Sequence, residues 1–110
     1  MQTILDMIAE YAKERVEKDK TKMSLEEVKS VCRSLGKAHG EEFLFALKKP
    51  DVSFICEVKK ASPSKGVISD EFPYLDIARE YEAAGADCIS CLTEPKWFCG
   101  SDKIFREIRA

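Results

Sequence analysis

The sequence predicts an α/β protein, with a helical N-terminal portion followed by strands and helices in alternation. Three observations carry this expectation. Apolar residues in the first fifty positions recur every three or four residues, the period of helices packed on one face. Beyond Pro50 two short, mostly apolar runs, 52–58 and 87–93, have strand character. A helical pattern follows each run, and that order is the signature of βα units in a parallel sheet.

The elements follow in order. Residues 2–19 read as an amphipathic helix, with Ile4, Leu5, Ile8, Ala12 and Val16 on one face and Glu10, Lys13, Glu14, Glu17 and Lys18 on the other. A second helix starts after Ser24. Ser24 and Glu27 form a capping box, in which each side chain satisfies a free backbone N–H of the other residue. Leu25, Val28, Val31, Cys32 and Leu35 make its apolar stripe, and Gly36 can supply the left-handed cap. A short helix over 41–48 presents Phe43, Leu44 and Leu47 before Pro50 stops it. The strand 52–58 comes next, then a helix over 73–84 with proline in its first turn and Gly85 just past its end. The strand 87–93 and a helix over 101–109 complete the chain. The expected division is a helical extension over 1–50 and a βα portion over 51–110.

Composition narrows the function classes. The 110 residues are 45% apolar and 35% charged, the balance of a globular domain rather than a disordered segment. A net charge of −2 with both signs interspersed argues against a broad basic surface for nucleic acid. No apolar run approaches the ~20 residues that span a membrane, and no signal-peptide core opens the chain. A cytoplasmic location is the expectation. The five cysteines, Cys32, Cys56, Cys88, Cys91 and Cys99, are expected as reduced thiols. Cys88 and Cys91 have metal- or redox-like spacing, but residues three apart in a strand face opposite ways, so no metal site is expected.

The stretch FICEVKKASPSKGVI, 54–68, departs from an ordinary buried strand. Alternation puts Phe54, Cys56 and Val58 on one face and Ile55, Glu57 and Lys59 on the other. The second face turns from apolar to ionic toward the strand's C-terminal end, where βα folds bind their ligands. Glu57 and Lys59 would stand ~7 Å apart along the strand. The same pattern suits a solvated ion pair worth under ~1 kcal/mol, and periodicity leaves both readings open. The following loop, 61–66, offers hydroxyls, backbone N–H groups and a lysine to an anion, or serves as an ordinary turn.

EVKKASPSKGVI closely resembles the first strand and loop of the indole-3-glycerol phosphate synthase family, βα-barrel enzymes of tryptophan biosynthesis. LTEPKWFCGS, 92–101, resembles that family's second strand and loop, and ILDMIAEYAKERV and FLFALKKPDVSFICE resemble its N-terminal extension. The resemblance implies an N-terminal helical extension plus the first two βα units of a TIM (βα)8 barrel. It implies conversion of 1-(2-carboxyphenylamino)-1-deoxyribulose 5-phosphate to indole-3-glycerol phosphate, with loss of carbon dioxide and water and with no cofactor. Carried over by position, Glu57 matches a catalytic carboxylate, and Lys59 a lysine that contacts substrate and can act as an acid. Ser62 matches a loop residue at the substrate site, and Phe98 a residue against the substrate's aromatic ring. Lys60 is the weaker candidate, because it points to the other face.

A family barrel has eight βα units over ~250 residues, and this sequence holds about two. The third strand's lysine, a further glutamate and the glycine-rich phosphate site lie outside it. The expectation is therefore a synthase portion that is inactive alone and associates with itself or with the remaining barrel segment. A non-catalytic, self-associating module is the competing reading. A small redox or metal protein built on Cys88 and Cys91 is a more distant one.

Overall fold

A computed structural model describes all 110 residues. The element order is α1 (Ile4–Lys22), α2 (Leu25–Ser34), α3 (Gly40–Leu47), β1 (Ile55–Val58), β2 (Ala61–Ser62), β3 (Gly66–Val67), α4 (Tyr74–Ala83), β4 (Cys88–Cys91) and α5 (Asp102–Arg109). The chain divides into two compact units, Met1–His39 and Gly40–Ala110. The third helix, placed by sequence with the helical extension, therefore groups with the strands.

The first unit is α1 and α2. Thr3 caps α1: its hydroxyl accepts from the Asp6 N–H at 3.1 Å, while the Asp6 carboxylate accepts from the Thr3 N–H at 2.8 Å. The expected box on α2 is present, with Ser24 N–H donating to Glu27 at 2.6 Å and Glu27 N–H donating to Ser24 Oγ at 3.2 Å. These bonds hold both carboxyls below their usual values, the backbone N–H contributing most. α1 runs three residues beyond its expected end, because no residue before Ser24 breaks the helix and Lys20 pairs with Glu17 at 2.8 Å.

The second unit is mixed α/β. β1 and β4 form a parallel pair in the register Ile55–Cys88, Cys56–Ile89, Glu57–Ser90 and Val58–Cys91. α4 lies between them in sequence and packs on β1 and on α5, while α3 packs against β4. Val58 (1% exposed), Ala61, Ala78 and Cys88 form its small core. Gly36 and Gly85 take left-handed backbone, φ +77° and +96°, as residues just past a helix end do.

β1 is shorter than the expected 52–58, because its ladder can extend only where β4 faces it. Phe54, expected on the packed face, lies just before that ladder and is 60% exposed. The approach to the pair is closed by a side chain instead. Asp87 accepts from the Phe54 N–H at 2.8 Å and binds Lys49 at 2.8 Å, while the Phe54 carbonyl accepts from the Asp87 and Cys88 N–H groups. The hydrogen bond from Lys49, then the Phe54 N–H and the lysine's charge, hold the Asp87 carboxyl below its ordinary value of 3.8.

That depression fixes a pH dependence. A group with a lowered folded-state pKa contributes stability above its unfolded value and loses it as pH falls through the folded one. Asp87→Asn should therefore lower the melting temperature at about pH 7, with the deficit shrinking as pH falls below about 4. Thermal melts of both proteins across that range check this. A deficit that stays constant into acid would contradict the ionic role.

A hairpin not expected from the sequence interrupts the path from β1 to α4. β2 and β3 pair antiparallel, Ala61 with Val67 and Ser62 with Gly66, and the Ile68 N–H donates to the Lys60 carbonyl at 2.8 Å. The loop expected over 61–66 is the tip of this hairpin. No helix is long and apolar enough to cross a membrane.

Candidate active site at the end of the first strand

β1 and β4 run parallel, so the segments that follow them, 59–66 and 92–101, leave the sheet at the same end. Of the residues singled out in the sequence, Glu57 and Lys59 meet there, while Ser62 and Phe98 lie in the two segments that leave that end. Glu57 lies within the ladder, with Ser90 beside it on β4. Lys59 follows one residue past the strand, and its Nζ reaches Glu57 Oε1 at 3.3 Å. The heads converge although the residues are two apart, because the long lysine side chain leans back along the strand.

The two side chains are 34% (Lys59) and 44% (Glu57) exposed, so the pair faces solvent rather than the core. Such pairs contribute about 0–1 kcal/mol to stability. The ammonium has three donors and the carboxylate several lone pairs, so one mutual contact leaves both able to bind a ligand. A substrate carrying negative charge can take the ammonium while the carboxylate handles a proton, at little cost in the broken contact.

The backbone beneath them is held from both sides. Leu92 N–H donates to the Val58 carbonyl at 3.3 Å from β4. Backbone groups alternate in direction along a strand, so the Glu57 carbonyl faces away from β4. There the Tyr81 hydroxyl of α4 donates to it at 3.0 Å. One turn-rich segment further on, α4 and α5 are tied by the Tyr74 hydroxyl donating to the Glu107 carboxylate. That bond, then burial and the carboxylate's charge, raises the Tyr74 pKa.

Ser62 is 9% exposed in the hairpin, and its Oγ accepts from the Lys65 N–H at 3.2 Å. The hydroxyl therefore braces the turn and keeps its own proton to donate. Lys60 contributes its main chain to the hairpin through the bond from Ile68, unlike Lys59. Cys88 is buried, and burial pushes the Cys91 thiol up, away from the thiolate form.

Phe98 is half-buried in the loop after β4, away from the ion pair in sequence but at the same end of the sheet. The sequence reading did not find what holds this loop. Glu94 Oε1 accepts from Lys96 N–H at 2.8 Å, and Oε2 accepts from Trp97 N–H at 2.7 Å and Phe98 N–H at 3.0 Å. The Gly100 N–H closes the loop on the Glu94 carbonyl at 2.9 Å. Gly100 has to be glycine here, since a Cβ would stand 2.0 Å from the Leu92 carbonyl oxygen. Cys99 before it takes φ +52°, a left-handed conformation uncommon outside glycine. The available signal was Glu94 followed by Pro95, a turn-forming pair ahead of three backbone N–H donors.

Comparison with known proteins gives one answer. Residues 5–110 match the family described as indole-3-glycerol phosphate synthase. A protein of that description from Ruminiclostridium cellulolyticum is 51% identical over 106 residues, covering 96% of this chain and 41% of the relative. One from Endomicrobium trichonymphae is 49% identical over 107 residues, covering 97% of this chain and 42% of the relative. One from Lacticaseibacillus casei is 45% identical over 105 residues, covering 96% and 40%. The chain thus spans about two-fifths of the length of the curated relatives it matches.

Proposed function

The chain belongs to the indole-3-glycerol phosphate synthase family, and from that premise we propose that it supplies the first part of a synthase active site. The reaction is ring closure of 1-(2-carboxyphenylamino)-1-deoxyribulose 5-phosphate with loss of carbon dioxide and water. It belongs to tryptophan biosynthesis, in the cytoplasm. Residues 1–50 are the N-terminal extension in this reading, its third helix packed against β4. Residues 51–110 are the first two βα units of the barrel, with the β2–β3 hairpin inserted after the first strand.

The observation that carries the reading is the Glu57–Lys59 pair at the C-terminal end of a parallel strand, 3.3 Å apart and open to solvent. The substrate carries a carboxylate on its ring and a phosphate on its chain. Lys59 faces that charge and donates a proton to an oxygen leaving as water. Glu57 sits within reach of Lys59 and takes a proton from the ring-closed intermediate. Ser62 donates its hydroxyl proton to the substrate from the hairpin. Phe98 lies against the aromatic ring and adds apolar binding surface for it.

The β1–β4 pair is a two-stranded sheet, leaving one edge of each strand unpaired. Those edges suit the neighbouring strands of the barrel, or a second copy of the chain where those strands are absent. Steady-state assay of a full-length version, this chain continued to the length of its relatives, tests the function. Formation of indole-3-glycerol phosphate is expected. A folded full-length version that leaves this substrate unchanged would overturn the reading.

A further inference from the structure

The loop between β4 and α5 has an organiser that the proposed chemistry does not use. Glu94 spends both carboxylate oxygens on three consecutive backbone N–H groups, Lys96, Trp97 and Phe98, at 2.7–3.0 Å. Pro95 has no N–H, so these are the first three donors the loop offers after Glu94. The main chain of the same residue receives the Gly100 N–H, so Glu94 holds the loop at its middle and at its close. Bonds from N–H groups to an ionised acceptor are stronger than those between neutral groups. The half-buried Trp97 and Phe98 have their backbone direction set by them.

We infer that Glu94 is a positioning residue: its carboxylate fixes the backbone on which Phe98 meets the aromatic end of the substrate, and so governs substrate affinity. This rests on the synthase reading above. Phe98 touches the ring and not the groups that exchange protons. Its contact is therefore made alike in the bound substrate and in the transition state, and losing it raises KM more than it lowers kcat. Glutamine keeps the length of Glu94 but turns one acceptor oxygen into a donor facing the loop's own N–H groups. Alanine removes all three bonds. Aspartate keeps the charge and can still reach the nearer donors.

The test is made in the full-length version with Glu94→Gln, Glu94→Ala, Glu94→Asp, Phe98→Ala and the Glu94→Ala/Phe98→Ala pair. Hydrogen exchange of the segment 94–100 is read beside kcat and KM. Glu94→Ala and Glu94→Gln should speed exchange there and raise KM about 10-fold or more, with kcat within about 3-fold. Glu94→Asp should restore most of the protection and of the affinity. Phe98→Ala should raise KM similarly, and the pair should do little more than either change alone. Unchanged exchange in Glu94→Ala would overturn the inference, as would faster exchange with an unchanged KM while Phe98→Ala raises it. If the unsubstituted protein shows no turnover, or Phe98→Ala leaves KM unchanged, the synthase reading or the role of Phe98 falls instead. Exchange then decides the hold of Glu94 on the loop, and unchanged protection in Glu94→Ala overturns it.

Discussion

Lys59→Ala in the full-length version should lower kcat by about 10²–10⁴-fold, the range for losing a positioned acid. The melting temperature should move by no more than a few degrees. Both halves of this expectation come from where the lysine sits. It lies past the last paired residue of β1, its side chain is 34% exposed, and its ion-pair partner is Glu57. The core beside it is made by Val58 and Ala61, which the substitution leaves in place. An ion pair this exposed contributes under about 1 kcal/mol, so stability has little to lose. Glu57→Gln keeps the shape and the backbone bond from Tyr81, and should fall by a similar factor. If the two act as a unit, the double variant should be hardly slower than either single one. Lys60→Ala is the internal comparison and should be milder, since Lys60 serves the hairpin through its main chain. Near-normal turnover in Lys59→Ala or Glu57→Gln would remove that residue from the site.

The 110-residue chain by itself should show no turnover above the uncatalysed rate, and it should associate. It spans about two-fifths of the length of its relatives. In the synthase reading the candidate groups here, an ammonium, a carboxylate, a serine hydroxyl and an aromatic ring, are part of a larger set. Groups that act together lose most of their effect when separated. Its sheet is two strands of four residues, marginal for an isolated pair in water. Val52, Phe54, Ile55, Val67 and Ile68 are all exposed around it. Tyr81 satisfies one carbonyl on the far edge of β1, and a single hydroxyl cannot serve a whole row. Sedimentation at micromolar concentration should show more than one chain per particle. A cooperatively melting species of one chain's mass would contradict the association, and measurable turnover would contradict the inactivity.

What was legible in the sequence was local. The Ser24 box, the proline and glycine bounding α4, and the alternation of apolar strands with amphipathic helices are patterns within a dozen residues. The charged strand end was visible because Glu57 and Lys59 break a period that apolar residues otherwise keep. The missing pieces needed distance information or very short elements. The start of β1 at Ile55 depends on where β4 begins, at Cys88. The Lys49–Asp87 pair joins residues that no local pattern links. The hairpin ladders are two residues long, below any periodicity. The cap on α1 uses Asp6 where the usual pattern has glutamate or glutamine. Glu94 reads as one more surface acid until its three backbone partners are known.

In the synthase reading this chain carries one part of an active site whose other part lies in the rest of the barrel. Co-expression with a second polypeptide, continuing from residue 111 to the length of the relatives, tests it most directly. Formation of indole-3-glycerol phosphate is measured for each polypeptide alone, for both together, and for both with Lys59→Ala in this chain. The account predicts turnover only when the two are together, and its loss with Lys59→Ala. Turnover by either polypeptide alone, or undiminished turnover of the pair carrying Lys59→Ala, would contradict it.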